Sequence, residues 1–503
     1  MRHFIAIDLG TTNSKAVLID ETGKVLYVGK AAVVSLQDEN GKHEQDAELI
    51  FQNVITLIKE CFALASAKNI ACISFSAAMH SIMATDTNGK PLTNAVTWAD
   101  TRARQYAQQL RGSDSGKEIY RYTGTPIHAM SPLCKLLWLK NEKPEIFNNA
   151  AKFISVKEYI FFRFFGKYIV DEGMASATGL FNVYEHKWHE ASLKLAGIDN
   201  SKLSQVVAAT YIETEMLPEI KNELELSTNI PFVPGGNDGC LANLGCGALT
   251  SDIAVLTVGT SGAVRLTMPP SPPVDGGQEI ANEGNGLFHY LLTDKIYVTG
   301  GPINNGGIVL QWFAENFLQL PLLQENNFEK VMQLAAAAKP GADDLLFLPY
   351  LLGERAPVWD ESATGMFYGL RISHKKEHLT RAVVEGISFS LLQILKETEK
   401  NNTAVHSVYV SGAVTQSDFW MQLLADMFGK NIILNDVADA SAMGAAFMGM
   451  YATGFIKDLS EVSKFISPSK KFIPNKEVHK PYIERFEVYK KLYPAFETIN
   501  NHH

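Results

Sequence analysis

The sequence lacks the features that mark several classes of protein. Its five cysteines, none in a C-x-x-C pair, are Cys61, Cys72, Cys134, Cys240 and Cys246. An odd number of cysteines without zinc-ligand spacing is typical of reduced thiols, so we expect a cytoplasmic protein. The formal net charge is −9 rather than basic, which argues against a nucleic-acid partner.

The sequence also lacks the patterns that are typical of a membrane span or a signal peptide. No apolar run approaches the ~18 residues that a membrane span requires, and the richest run, 159–165, is interrupted by Arg163. The first residues predict a strand that carries an acid, which is not the pattern of a signal peptide. At 503 residues, 46% hydrophobic and 20% charged, the chain is long enough for two or more globular cores.

The first informative stretch is a polar hairpin near the start of the chain. Apolar residues at 4–7 and again at 16–19 predict two strands, and the turn between them contains Gly10, Thr11, Thr12, Asn13 and Ser14. Glycine lets the backbone approach a ligand, and hydroxyl and N–H groups donate to phosphate oxygens. An acid beside phosphate repels it unless a cation intervenes, so the natural role of Asp8 is to hold hydrated Mg²⁺. Taken alone, an ordinary solvent-facing turn explains the stretch equally well.

A second hairpin repeats this layout about half a chain later. Residues 253–268 read as strand, turn and strand, with Gly259, Thr260, Ser261 and Gly262 in the turn. Two matching turns in two halves indicate a duplicated fold that binds one polyphosphate from both sides. We therefore expect two domains, 1–246 and 247–503, with a binding cleft between them.

Several residues follow predicted strands, where ligands of α/β folds gather. Met79 and His80 follow the strand predicted over 71–75, although such a pair is more often core packing. Trp98 and Asp100 follow another short strand. They fit either the floor of a sugar site or a helix start with Asp100 as N-cap.

A glycine-rich segment contains the strongest candidate for a catalytic base. Strand residues end at Pro234, and Asn237 and Asp238 follow among glycines. A substrate has room to lie against such an acid, so Asp238 is placed to act as general base, with Asn237 orienting a hydroxyl. The alternative is that Asp238 caps the next helix. Farther along, Gly412 precedes a predicted helix, where a flat ring or ribose can lie on the backbone.

With these motifs in order, the chain resembles the FGGY carbohydrate kinases, within the superfamily of actin, Hsp70 chaperones and hexokinase. The motifs are DLGTT at 8–12, GTS at 259–261 and SGA at 411–413. Two longer patterns, over 130–142 and 367–385, match the family's two signatures. The resemblance covers nearly the whole chain. It implies an α/β fold of two duplicated actin/hexokinase-like (ribonuclease H-like) lobes with a nucleotide and sugar cleft between them.

The resemblance also implies roles for individual residues. Asp238 is implied as catalytic base, and Asp8 as a ligand of Mg²⁺ through water. Acceptor-binding residues are implied at Met79, His80, Trp98, Asp100, Asn237 and Asp238. Nucleotide-binding residues are implied at Thr11, Thr12, Asn13, Lys15, Thr260, Gly307, Gln311, Gly412, Ala413 and Gln416. Some family members carry Asn where this chain has Gln416, which leaves the adenine contact open.

Within the family, the stretches at 79–81, 98–102 and 300–307 are most similar to gluconate kinases. Xylulose kinases share the Met-His pair but usually continue it with Gly, where this chain has Ser81. The implied reaction is ATP-dependent phosphorylation of D-gluconate to 6-phospho-D-gluconate, with a xylulose kinase or another polyol kinase of the family as alternative. A remoter alternative, an actin-like or Hsp70-like ATPase switch, leaves the two signatures unexplained.

The substrate carboxylate needs hydrogen-bond donors, and His80, Arg102 and Lys15 are the candidates among which the sequence does not choose. The expected partners are ATP, Mg²⁺ and a small-molecule sugar acid or polyol, without nucleic acid or membrane. A homodimer is the default expectation because dimers are the commonest oligomers.

Overall fold

The structure, a computed structural model, describes residues 2–269, 286–400, 404–437 and 439–500. The strands of the first half are β1 (His3–Leu9), β2 (Asn13–Asp20), β3 (Val25–Ala32), β4 (Ser35–Gln37), β5 (His43–Gln45), β6 (Ile70–Ala77), β7 (Met83–Thr85), β8 (Ala95–Val96), β9 (Lys152–Ile154), β10 (Ile169–Asp171), β11 (Phe181–Asn182), β12 (Lys187–Trp188), β13 (Gln205–Val207) and β14 (Phe232–Asn237). Its helices are α1 (Ala47–Leu64), α2 (Arg104–Arg111), α3 (Asp114–Thr123), α4 (Pro132–Glu142), α5 (Pro144–Asn149), α6 (Val156–Phe165), α7 (Glu172–Ser176), α8 (Glu190–Ala196), α9 (Pro218–Glu223) and α10 (Asp238–Gly245).

The second half of the chain also contains both strands and helices. Its strands are β15 (Ile253–Val258), β16 (Gly262–Met268), β17 (Phe288–Thr293), β18 (Ile296–Ile303), β19 (Leu346–Leu348), β20 (Met366–Tyr368), β21 (Ser407–Ser411), β22 (Asn431–Asn435) and β23 (Pro468–Phe472). Its helices are α11 (Gly307–Phe313), α12 (Asn327–Ala337), α13 (Lys376–Glu399), α14 (Asp418–Phe428), α15 (Ala440–Ala452) and α16 (Lys476–Asn500). None of the helices in the described ranges combines the length and apolar character that crossing a bilayer requires.

The two large sheets share one topology. In the first, β3, β2 and β1 are antiparallel neighbours, and β6 and β14 continue the sheet parallel to β1. In the second, β18, β16 and β15 are antiparallel neighbours, and β21 and β22 continue parallel to β15. The second sheet adds β17 and β23 at its edges. The predicted duplication of an α/β lobe is therefore confirmed.

Helices α10 and α15 pack closely against each other at the junction of the lobes. A Cβ on Gly245 would lie 1.8 Å from the carbonyl oxygen of Ala440, and a Cβ on Gly444 would lie 1.9 Å from that of Leu241. Because neither position has room for a side chain, small residues are required for this approach. Helix α15 also packs on β1 and β6, so it connects the second half of the chain to the first sheet.

Candidate active site

A cavity of about 310 Å³ lies between the tips of the two hairpins. Both lobes contribute to its wall, which includes Thr11, Met79, His80, Trp98, Asp238, Gly259, Ser261, Arg265, Tyr290 and Arg355. The sequence predicted a cleft shared by two lobes, and the structure brings four of the predicted acceptor-binding residues into this one wall. These four are Met79, His80, Trp98 and Asp238.

Asp238 is the first residue of α10 and follows β14 directly. One carboxylate oxygen, Oδ1, accepts a hydrogen bond from the backbone N–H of Gly239 at 2.8 Å, and the side chain is partly exposed to the cavity. Burial raises the pKa of Asp238 above its ordinary value, while the positive charge of Arg265 opposes that shift. A carboxylate in this environment is a candidate proton acceptor.

Asn237 rather than Asp238 caps α10. Its Oδ1 accepts a hydrogen bond from the backbone N–H of Cys240 at 2.8 Å, and its Nδ2 donates to the carbonyl of Gly173 at 2.9 Å. The alternative interpretation of Asp238 as the helix cap is therefore wrong. Asn237 is fully buried behind the cavity wall, so in this conformation it positions Asp238, and its predicted contact with the acceptor stays a prediction.

A buried ion pair supports the end of β14. The Lys157 ammonium lies 2.5 Å from the carboxylate of Asp171. It also donates to the carbonyls of Pro234 and Gly236, both at 2.9 Å. Because one buried cation serves three acceptors, it fixes the strand end from which Asp238 projects.

His80 enters the cavity wall as a neutral ring. Its Nδ1 donates to the carbonyl of Ala177 at 2.7 Å, which leaves Nε2 as an acceptor. Burial lowers the pKa of His80 to about 3. Its backbone has a φ of 71°, and the Lys135 ammonium donates to its carbonyl at 2.6 Å. A non-glycine residue at a positive φ is typical of functional sites, and a neutral ring accepts a hydrogen bond from a substrate hydroxyl more readily than it binds a carboxylate.

Trp98 connects the cavity wall to the first hairpin. Its indole Nε1 donates to Thr11 Oγ1 at 2.9 Å, and the guanidinium of Arg355 lies 5.2 Å from the ring centroid. The ring is thus fixed on one edge and covered on one face, and its predicted role as the floor of a sugar site stays a prediction.

Asp100 lies outside the cavity wall. Its carboxylate accepts from Arg102 Nη2 at 2.7 Å and from the backbone N–H of His43 at 2.8 Å. Arg102 also bonds Glu44 at 2.6 Å. The predicted N-cap role of Asp100 is wrong, because α2 begins later, after Ala103 and without a side-chain cap. Its predicted contact with the acceptor stays a prediction, since in this conformation the carboxylate is bound by protein donors.

The tip of the first hairpin is held by one side-chain hydrogen bond and one backbone hydrogen bond. Gln45 Nε2 donates to the carbonyl of Thr11 at 2.6 Å, and the N–H of Gly10 donates to the carbonyl of Asn13 at 3.1 Å. A Cβ on Gly10 would lie 2.8 Å from that same carbonyl oxygen, so the turn requires glycine. Thr12 is exposed at the tip.

Lys15, predicted to contact phosphates, lies between two carboxylates. Its ammonium is 2.5 Å from Asp439 and 3.8 Å from Asp8. Asp439 is the N-cap of α15, so this ion pair crosses from one lobe to the other. The Lys15 ammonium has three N–H donors, so its predicted contact with phosphate is compatible with the ion pair to Asp439 and stays a prediction.

Asp8 lies in an environment where a bound cation would stabilise its ionised carboxylate. It is buried, and its Oδ1 has no hydrogen-bond partner among the described residues. Burial, followed by the negative charge of Asp439, raises the pKa of Asp8 to about 6. Within the described ranges, no cluster of three or more His, Cys, Asp or Glu side chains could enclose a metal alone. These residues fit a hydrated Mg²⁺, which Asp8 would hold through water.

The second hairpin tip is braced by backbone hydrogen bonds. The N–H of Gly307, at the start of α11, donates to the carbonyl of Gly259 at 2.7 Å. The next N–H, of Ile308, donates to the carbonyl of Thr260 at 3.1 Å. A Cβ on Gly307 would lie 2.6 Å from that Gly259 oxygen. The first turn of α11 is therefore fixed to the tip, and Thr260 itself is exposed.

The other predicted nucleotide residues lie on the surface of the second lobe. Gly412 has a φ of 98°, and a Cβ there would lie 2.2 Å from the carbonyl oxygen of Val258, the residue before the second tip. Gly412, Ala413 and Gln416 are exposed. Gln311 lies on α11, where its Nε2 donates to Glu315 at 2.9 Å.

Two cations in the cavity wall, Arg265 and Arg355, were missed by the sequence interpretation. For Arg265 the signal was a single charge among the apolar residues of β16. Of the three residues predicted to bind a carboxylate, His80 is uncharged, while Arg102 and Lys15 are paired with acids. The structure therefore adds two arginines to the candidates for binding a carboxylate, and the choice among the three predicted residues stays open.

Comparisons with known proteins identify the family of the chain. The N-terminal domain of the FGGY family of carbohydrate kinases matches residues 3–245, and its C-terminal domain matches residues 254–453. A gluconokinase of Bacillus subtilis (strain 168) is 39% identical over 99% of this chain and 95% of its own length.

Two solved structures from Lactobacillus acidophilus are equally similar to the chain. One is described as a gluconate kinase, with 34% identity, a TM-score of 0.92 and coverage of 98% of both chains. The other is described as a ligand-bound xylulose kinase, with 34% identity, a TM-score of 0.92 and coverage of 99% of both chains. Backbone similarity alone thus does not separate the two substrates.

Proposed function

The chain belongs to the FGGY family of carbohydrate kinases, and from this premise we propose that it phosphorylates D-gluconate with MgATP to 6-phospho-D-gluconate. The observation that carries this choice of substrate is the charge of the cavity. Besides Asp238, its wall holds two guanidinium groups, while His80 is neutral. A wall with one excess positive charge favours an anionic acceptor over a neutral polyol.

The proposed base is Asp238. It accepts the proton of the terminal hydroxyl as that oxygen bonds to the γ-phosphorus, while the bond from γ-phosphorus to the bridging oxygen breaks and ADP leaves. Arg265 favours the ionised form of Asp238 that this step requires. His80 Nε2 accepts a hydrogen bond from a substrate hydroxyl and so aligns the acceptor.

The triphosphate is proposed to lie between the two hairpin tips, bound by Thr11, Thr12, Asn13, Lys15 and Thr260. The Thr11 hydroxyl already accepts a hydrogen bond from Trp98, so its own proton is available for a phosphate oxygen. The nucleoside is proposed to lie along Gly307, Gln311, Gly412, Ala413 and Gln416. When bound beside Asp8, Mg²⁺ neutralises charge on the phosphates.

A substrate panel tests the proposal. ADP release is measured with D-gluconate, D-xylulose and glycerol, and kcat/KM is expected to be highest for gluconate. A preference for xylulose would replace gluconate with the alternative substrate. Slow ATP hydrolysis that no sugar accelerates would instead favour the ATPase switch.

A further inference from the structure

Building on the proposed function, we propose that Arg355 binds the carboxylate of the acceptor and thereby determines the preference for a sugar acid. Arg355 is buried in the cavity wall. Its Nη2 donates to the carbonyl of Ile303 at 2.9 Å, but its Nε has no hydrogen-bond partner among the described residues. A buried guanidinium with an unused donor is costly unless a ligand supplies the acceptor.

The neighbouring acid does not supply that acceptor. The carboxylate of Glu354 accepts hydrogen bonds from the backbone N–H of Asn304 at 2.6 Å and of Arg355 at 2.8 Å, and from Asn305 Nδ2 at 3.0 Å. Among the described residues, the guanidinium of Arg355 donates a hydrogen bond to the carbonyl of Ile303 and to no carboxylate. Glu354 therefore shapes the loop and acts on Arg355 through its charge rather than through a hydrogen bond, so the donors of Arg355 are left for another anion.

The two cavity arginines lie toward different groups. Arg265 acts electrostatically on Asp238, and a Cβ on Gly239 would lie 3.1 Å from its Nε. Arg355 instead lies over Trp98 and acts on His80. An open-chain sugar acid has its terminal hydroxyl and its carboxylate at opposite ends. With the hydroxyl at Asp238, the carboxylate therefore extends toward Arg355.

The geometry around Arg355 also suits a carboxylate. The Trp98 ring, fixed by its bond to Thr11, lies against the guanidinium and restricts its orientation. A guanidinium with a restricted plane presents two parallel N–H donors to a carboxylate, which an ammonium does not. The repulsion between Arg355 and Arg265 is relieved when an anion binds beside them.

The test compares D-gluconate with D-gluconamide, its neutral analogue, in the full-length wild type and in Arg355→Gln, Arg265→Gln and Arg371→Gln. Arg371 is exposed and is not part of the cavity wall, so it controls for loss of one positive charge. Wild-type kcat/KM is expected to favour gluconate by about 10–100-fold, as for hydrogen bonds to charged groups. Arg355→Gln is expected to reduce this preference to within about threefold, with gluconamide turnover retained.

Arg265→Gln is expected to slow both substrates similarly, because it acts on Asp238, and Arg371→Gln to change neither. Calorimetric binding of the two ligands to each variant gives a second readout that does not depend on turnover. An unchanged preference in Arg355→Gln, or an equal loss for both ligands, would overturn the inference. Absence of gluconate turnover in the wild type would instead overturn the proposed function, while the binding ratio would still test Arg355.

Discussion

The two hairpin tips have the same backbone pairing but different charges. In the first, Asp8 is paired across the strands with Lys15 and in parallel with Ser76. The matching residue in the second is Thr257, paired with Ala263 and Ser411. Duplication thus supplies the matching backbone of the two tips, between which we propose the triphosphate binds, while the acid and the ammonium belong to the first tip only.

The helices that follow the last parallel strand of each sheet differ in the same way. Helix α10 has a neutral cap, Asn237, and an acid, Asp238, as its first residue. Helix α15 has an acidic cap, Asp439, and Ala440 as its first residue. The first lobe therefore presents an acid to the cavity at the position where the second lobe has a methyl group.

The largest effect on turnover is expected when the acid at the start of α10 is removed. Asp238→Ala makes the start of α10 resemble that of α15, and Asp238→Asn keeps its shape without the proton acceptor. We expect turnover to fall by about 10²–10⁴-fold in both variants, the usual contribution of a general base. ATP affinity, measured by calorimetry, is expected to stay within about threefold of the wild type.

Near-normal turnover in either variant would show that another group accepts the proton.

The next largest effect on turnover is expected from Asp8→Thr. This substitution gives the first hairpin the residue type that the second hairpin has at the matching position, Thr257. Loss of the carboxylate should raise the Mg²⁺ concentration that half-maximal activity requires and reduce turnover by about 10²-fold. Thr257→Ser is the matched control in the second tip, where a hydroxyl is retained. An Asp8→Thr enzyme with an unchanged Mg²⁺ requirement would contradict the assignment of this acid.

The contact between α10 and α15 predicts an effect on stability. Gly444→Ala places a methyl group against the carbonyl of Leu241, and we expect it to lower the free energy of unfolding by about 1–3 kcal/mol, as overpacking does. Gly112→Ala is the control, because a Cβ there meets no atom within 4 Å. Equal denaturant midpoints for the two variants would show that α10 and α15 accommodate the added methyl group without loss of stability.

The smallest effect concerns pH. Asp238 must be ionised to accept a proton, so kcat/KM is expected to fall as the pH falls through its pKa, which burial raises. The charge of Arg265 lowers that pKa, and its removal in Arg265→Gln should therefore shift the acidic limb of the profile to higher pH. If the acidic limb of the kcat/KM profile lies at the same pH in Arg265→Gln and in the wild type, Arg265 does not lower the pKa of the catalytic base.

The local features of the site could be predicted from sequence because each depends on neighbouring residues. A glycine-bearing turn between two apolar strands predicts a hairpin, and an acid among glycines after a strand predicts Asp238 at a site. The charge partners could not be predicted, because they are distant in sequence. Lys15 meets Asp439 across 424 residues, and Arg355 reaches the ring of Trp98 from the other lobe.

The most direct measurement is a crystal structure with D-gluconate and a non-hydrolysable ATP analogue. We predict the triphosphate between Thr11–Asn13 and Thr260, and the terminal hydroxyl of gluconate within hydrogen-bonding distance of Asp238. A triphosphate bound away from the two tips, or Asp238 turned away from the acceptor, would contradict this prediction.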